Sequence, residues 1–236
     1  MPKWRTNNTY NFSQIDGRSQ TAGVEPTQIT PPIGAVICGA VGLGDAYRWW
    51  MVAEAELEAT DAGVVPVSQG WFVLNAHDAR WNEKPGQGFS LPLTGDTEYE
   101  AETYFPMLGM AIRIVESGEP TTTYHWENDQ EDFLVLAGEG VLIVEGQERR
   151  LKQWDFVHCP PGTKHAFAGA GEGRFVLLCA SSRQFQKDGP WGSYVSDETA
   201  SSYNASSPED TEDGSVAYAR FPDPQPVRYP EGLLPN

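Results

Sequence analysis

At 236 residues the chain is sized for one domain, or one domain with long appendages, and is too short for a large multidomain machine. Hydrophobic residues make up 39% and charged residues 21%, with 24 Gly and 18 Pro, a turn-rich composition that favours β structure over a helical bundle. A total of 16 Lys and Arg against 33 Asp and Glu gives a formal charge of −17, which repels phosphate backbones and anionic lipid surfaces and argues against nucleic-acid and membrane partners. An acidic, Lys-poor surface also suits a salty cytoplasm. Cys38, Cys159 and Cys179 are scattered and form no C-x-x-C, so reduced thiols are expected rather than disulfides or a thiolate zinc site. The start, MPKWRTNNTYNFSQ, has no apolar core after its basic residues, and no apolar run is long enough to span a bilayer. The expected protein is soluble and cytoplasmic.

Residues 1–68 read as an N-terminal arm and connector, partly helical or disordered. Met1 to Pro32 is rich in Asn, Thr, Gln and Pro without hydrophobic period. Gly39, Gly42 and Gly44 then fall in the order G-x-x-G-x-G with no βαβ unit after them, which fits a glycine-rich connector better than a dinucleotide-binding turn. Asp45 as N-cap and Gly63 as stop frame a helix, although Tyr47 to Ala59 also alternates as a strand would.

Residues 69–183 read as a β-barrel. The runs GWFVLNA, MAIRIVE, TTTYHWE, DFLVLAG, GVLIVEG, DFVHCP, HAFAGAG and RFVLLCAS are strand-sized and cut by turns, and point to a closed or double-sheet β architecture. FLVLAG and VLIVEG, joined across Glu139-Gly140, read as the clearest hairpin. Residues 184–236 read as an acidic C-terminal tail packing on the barrel, docked by Trp191, Tyr194, Tyr203, Tyr218 and Phe221.

His125 and Glu127 sit two apart in a strand-like run and so share a face. Glu131 heads the next strand, and His165 begins another just after CPPGTK. Imidazole nitrogen and carboxylate oxygen are donors that iron(II), manganese, zinc and nickel accept, so this set could hold one divalent ion per chain. His158 and His77 have no comparable company; His158 reads as a hydrogen-bonded residue beside the site or on the surface. Cys159 reads as a small buried hydrophobe.

Gly118, His125-Trp126-Glu127, Glu131 and Gly138, followed by Pro160-Pro161-Gly162 and His165, resemble the two motifs of the cupins, small jelly-roll β-barrels. The chain departs from the pattern in four places. His125 falls one residue late, Glu127 replaces the second His of His-x-His, Trp154 stands where a Gly is usual, and Gly169 where an Asn is usual. A shifted register would put Tyr124 and Trp126 in the histidine slots, where they would be poor ligands.

The resemblance implies an all-β double-stranded β-helix in which His125, Glu131 and His165 ligate a metal and Glu127 is a fourth ligand or a nearby base. Alternation then points Thr123, Phe133, Val135 and Phe167 into a mostly apolar pocket for a small organic substrate. Arg113 falls on the face opposite Met110, Ile112 and Ile114 and is expected outside, leaving no basic lining for a sugar phosphate. The expected activity is redox-neutral isomerase, cyclase or lyase chemistry, with Glu127 or Glu131 moving a proton. An iron(II) dioxygenase is one alternative and a non-catalytic metal- or metabolite-binding module another. The resemblance also implies a homodimer.

Overall fold

Two antiparallel sheets face each other across one apolar interior, and glycine-marked corners set how the chain passes between them. The structure, a computed structural model, describes residues 52–95, 104–183 and 190–234. Its strands are β1 (Leu57–Thr60), β2 (Gly63–Pro66), β3 (Trp81–Glu83), β4 (Phe89–Pro92), β5 (Leu108–Val115), β6 (His125–Glu127) and β7 (Glu131–Ala137). These are followed by β8 (Glu139–Val144), β9 (Gln147–Lys152), β10 (Phe156–Cys159), β11 (His165–Ala170), β12 (Phe175–Ser182) and β13 (Gly192–Tyr194). Two one-turn helices, α1 (Glu198–Ser201) and α2 (Gly214–Ala217), precede β14 (Gln225–Val227).

One sheet runs β10-β7-β12-β5-β4-β3-β14, the other β13-β6-β11-β8-β9, and β1 pairs with β2 alone. This is an all-β jelly-roll barrel. No described helix is long and apolar enough to cross a membrane.

Alternation along the strands sorts their side chains. On β7, Glu131, Phe133 and Val135 turn inward and are buried, while Asp132 and Leu134 turn out. Phe133 and Val135 join Val115, Leu142, Phe167, Phe175 and Leu177 in the barrel interior. Full burial of such side chains is worth about 1.5–3 kcal/mol each before the conformational cost is counted.

Each outer face is covered as well. Trp81, Leu91, Ile114, Val176 and Leu233 pack together on one flank. On the other, Tyr124, Ile143, Ala166 and Ala170 pack against Ala200 and Ala205 of the C-terminal segment. This outer cover is why every residue of β11, HAFAGA, is buried.

The expected hairpin between FLVLAG and VLIVEG does not form. β7 pairs with β10 and β12, whereas β8 pairs with β11 and β9, so the two strands lie in different sheets. The single residue between them is too short for a hairpin loop, and Gly138, at φ +75°, turns the chain from one sheet into the other. A Cβ there would stand 2.0 Å from the Arg174 carbonyl oxygen, so the corner has room only for glycine. The hairpin actually present joins β8 to β9 through Glu145 and Gly146, both left-handed at φ 49° and 70°, as a type I′ turn requires.

Two further expectations are corrected. The described end of the Asp45–Gly63 helix is instead the β1–β2 hairpin, with Thr60 paired to Gly63; the earlier part of that helix lies outside the described residues. GWFVLNA supplies only an isolated bridge from Trp71 to Glu54, because Trp71 and Val73 are exposed and have no apolar layer to join. The charged strand QERRLK, missed in the sequence, is β9, an edge strand facing solvent.

Candidate metal centre

β6 and β11 place the two histidines. His125 and His165 are directly paired across these strands, and their ring centroids lie 4.8 Å apart. Each ring is oriented by its own backbone. His125 Nδ1 lies 2.7 Å from the Thr123 carbonyl oxygen and His165 Nδ1 lies 3.0 Å from that of Thr163. A carbonyl can only accept, so both Nδ1 atoms carry the proton and both Nε2 atoms present lone pairs. Ligating histidines are commonly held in this way.

Glu131, at the head of β7, completes the group. Its Oε2 lies 3.3 Å from His165 Nε2, and one donor atom from each of His125, Glu131 and His165 falls within 4.8 Å of the others. All three are buried. The donor set, the fixed tautomers and the inward burial fit a divalent cation of the iron, manganese, zinc or nickel type.

The electrostatics describe the same site with protons in place of an ion. Burial, then the neighbouring Glu127 charge, pushes the Glu131 carboxyl up to about 8. Burial, then His125, lowers His165 to about 3, keeping it neutral. For His125 burial opposes the charged form, but Glu127 and Glu131 outweigh it and the net shift is upward.

Glu127 falls outside the close triad. Its Oε1 lies 3.7 Å from His125 Nε2, its Oε2 accepts from Ser181 at 3.4 Å, and its side chain is partly exposed.

Of the four pocket residues, Phe133 lies 5.2 Å from His165 and 4.5 Å from Phe167, ring centre to ring centre. Phe167 and Val135 are deeper still, within the packed core. Thr123 is fully buried; its carbonyl orients His125 and its hydroxyl has no partner within the described residues.

His158 points away from the site, exposed and bonded to Asp132 at 2.6 Å, and His77 stacks on Tyr229. Cys159, paired opposite Glu131 on β10, is buried, and burial pushes its thiol up to about 12.

Arg113 is not outside. It pairs with Leu177 of β12, whose side chain belongs to the interior cluster, so Arg113 shares that inward face. The apolar face of β5, with Ile112 and Ile114, packs outward against Trp81 and Leu91. An apolar stripe is a sound guide to burial, but this strand has apolar clusters packed on both of its faces.

The sequence also gave no sign of β13. It pairs with β6, Gly192 opposite Glu127 and Tyr194 opposite His125, and sets Trp191 and Tyr194 at 6.3 and 6.0 Å from the His125 ring. Gly192 lies against the Trp126 carbonyl so closely that a Cβ would stand 1.9 Å from its oxygen.

Residues 111–181 match the cupin domain family. That stretch is a cupin domain. Among curated relatives of this cupin, an uncharacterized protein of Aquifex aeolicus is 35% identical over 65 residues, 28% of this chain and 53% of that protein. Another, from Methanocaldococcus jannaschii, is 26% identical over 72 residues, 30% of this chain and 58% of that protein. The chain thus spans little more than half the length of these relatives.

Similar solved structures include a cupin-like protein of Thermotoga maritima, 21% identical, covering 51% of this chain and 86% of that one at a TM-score of 0.39. The polyketide cyclase RemF from Streptomyces resistomycificus is 15% identical, covering 41% of this chain and 65% of its own at a TM-score of 0.34.

The structure explains both departures in the second motif. Trp154 adopts φ +74°, the left-handed conformation that a glycine takes without cost, and is 65% exposed. At Gly169 a Cβ would stand 2.2 Å from the Glu116 carbonyl oxygen, because the loop at 116–119 bonds to both its N–H and its C=O. An asparagine has no room there.

Proposed function

We propose that this cupin is a metal-dependent enzyme that moves a proton on a small organic substrate in redox-neutral isomerase, cyclase or lyase chemistry. The observation that carries this reading is the division of labour between the two glutamates. Glu131 is buried within the triad, whereas Glu127 stands beside it, partly exposed, with its oxygens shared between His125 and Ser181.

His125, Glu131 and His165 would hold a divalent ion, which would supply a Lewis acid for a substrate carbonyl or enol oxygen. Glu127, reachable from the open side, removes a proton from the adjacent carbon and returns it at another position. Ser181 and His125 hold its carboxylate in place. Phe133, backed by Phe167, supplies an apolar wall, and Trp191 and Tyr194 narrow the side next to His125.

The test is deuterium exchange into the α-carbon of simple carbonyl compounds by protein reconstituted with zinc or manganese. Glu127→Gln should retain the metal and lose the exchange, by about 10²–10⁴-fold if Glu127 is the general base. Retained exchange in that variant would remove Glu127 from the chemistry.

A second reading is favoured by the donor set itself, since two histidines and one carboxylate suit an iron(II) dioxygenase. Oxygen consumption by the iron(II) form with diketones or catechols, without exchange in the zinc form, would select it. A protein that holds metal but does neither would be a binding module.

A further inference from the structure

Arg113 is a charged group in the barrel interior for which the metal chemistry has no use. On β5 it lies inward between Ala111 and Val115, opposite buried Ser90 on one side and Leu177 on the other. Its guanidinium reaches the Cys179 sulfur, and it is near enough to Glu131 and Tyr194 for its charge to act on both. No carboxylate forms an ion pair with it among the described residues.

Its neighbours are differently placed. Arg174 pairs with Glu116 at 2.8 Å, and Arg183 donates to the carbonyls of Phe105 and Thr94 at 2.8 and 3.0 Å. Arg113 is partly buried, and an inward-facing guanidinium that is not closed into an ion pair within the described residues can take a bound anion.

We infer that Arg113 is the carboxylate-recognition residue of the pocket and that the substrate is a small monocarboxylic acid whose second oxygen function faces His125, Glu131 and His165. The inference rests on the reading of the site as a metal-dependent enzyme and narrows its substrate class.

The planar fork of arginine matches a carboxylate with two parallel hydrogen bonds. A single guanidinium balances a single negative charge. Glu127, Asp129 and Glu131 nearby, on a chain of formal charge −17, disfavour a doubly charged phosphate. Phe133, 5.2 Å from His165 ring centre to ring centre, supplies an apolar surface for the carbon skeleton.

The test is calorimetric titration of zinc-loaded protein with pyruvate and, separately, with the neutral diketone 2,4-pentanedione, metal content being measured on every sample. Pyruvate should bind the wild type, bind Arg113→Gln at least tenfold more weakly, and bind Arg113→Lys at an intermediate strength. Pentanedione should bind all three within twofold.

Equal pyruvate affinity in wild type and Arg113→Gln, or no pyruvate binding to metal-loaded wild type, overturns the inference while leaving the metal centre standing. Inorganic phosphate binding more tightly than pyruvate through Arg113 overturns the carboxylate assignment. Failure of the metal reading shows separately, as protein that takes up no zinc. If Arg113→Gln does not fold, Arg113→Lys decides: it keeps the charge and loses the fork, and affinity equal to wild type overturns the inference.

Discussion

His125 and His165 face each other across the β6–β11 pair, and each gives its Nδ1 proton to the carbonyl of the residue two positions earlier, Thr123 and Thr163. The same local geometry is thus used twice, and it leaves His165 Nε2 3.3 Å from Glu131 and His125 Nε2 3.7 Å from Glu127. Replacing either histidine with alanine, or Glu131 with glutamine, should lower zinc affinity by more than about a hundredfold, the upper end of what disturbing a ligand's supporting hydrogen bonds alone costs. The fold should persist, since these residues form no part of the apolar clusters. Elemental analysis alongside circular dichroism checks both statements.

Zinc affinity should depend on pH through the protons of Glu131 and His125. With Glu131 pushed up to about 8 by burial and Glu127, and His125 shifted upward by Glu127 and Glu131 against its burial, a cation must displace protons from both, so affinity should rise by about tenfold or more per pH unit and level off above pH 8. His165, lowered to about 3 by burial and His125, adds no competing proton near neutrality. Metal titrations at several pH values read the slope directly.

The same shift sets a stability trend for chelator-treated protein. A carboxyl raised from 4.5 to about 8 favours the fold while protonated, an advantage full below 4.5 and lost as pH rises through 8. A histidine lowered from 6.5 to about 3 favours the fold while neutral, an advantage full above 6.5 and lost as pH falls toward 3. Metal-free protein should therefore melt lower at pH 8.5 than at about pH 7, and zinc should abolish that difference. Scanning calorimetry with and without zinc measures it.

Cys159 and Cys179 should resist alkylation in the native state. Burial pushes their thiols up to about 12 and about 11, leaving almost no thiolate near neutral pH. In a Cys38→Ser background, iodoacetamide should label neither until denaturant is added, as read by mass spectrometry.

Two backbone positions should respond in opposite senses. Gly138→Ala places a Cβ 2.0 Å from the Arg174 carbonyl at φ +75° and should destabilise the protein by at least about 1–3 kcal/mol. Trp154→Gly relieves a left-handed tryptophan that is 65% exposed and should be neutral or stabilising, by up to about 1 kcal/mol. Denaturant titrations of the two variants decide.

The barrel and its triad were legible in the sequence because both are local matters. Strand runs alternate, and His125 and Glu131 fall beside Gly118 and Gly138 in a recognisable order. What was not legible depends on which layer each strand meets. The apolar stripe of Ile112 and Ile114 points Arg113 outward, but a second layer built on Trp81 covers that stripe. β7 and β8 looked like a hairpin because both are apolar, and only the one-residue connection at Gly138 hinted otherwise. β13, three residues reading GSY, carries no strand signal of its own and exists because β6 offers it an unpaired edge.

That edge decides what the smallest working piece of this protein is. β6 meets β11 at the single pair His125–His165, whereas Gly192, Ser193 and Tyr194 brace its whole length. A fragment trimmed to residues 111–181 would keep all three donors in its sequence while leaving one of them on a strand anchored at one point. The unit that holds the triad together is therefore larger than the segment that matches the cupin domain family.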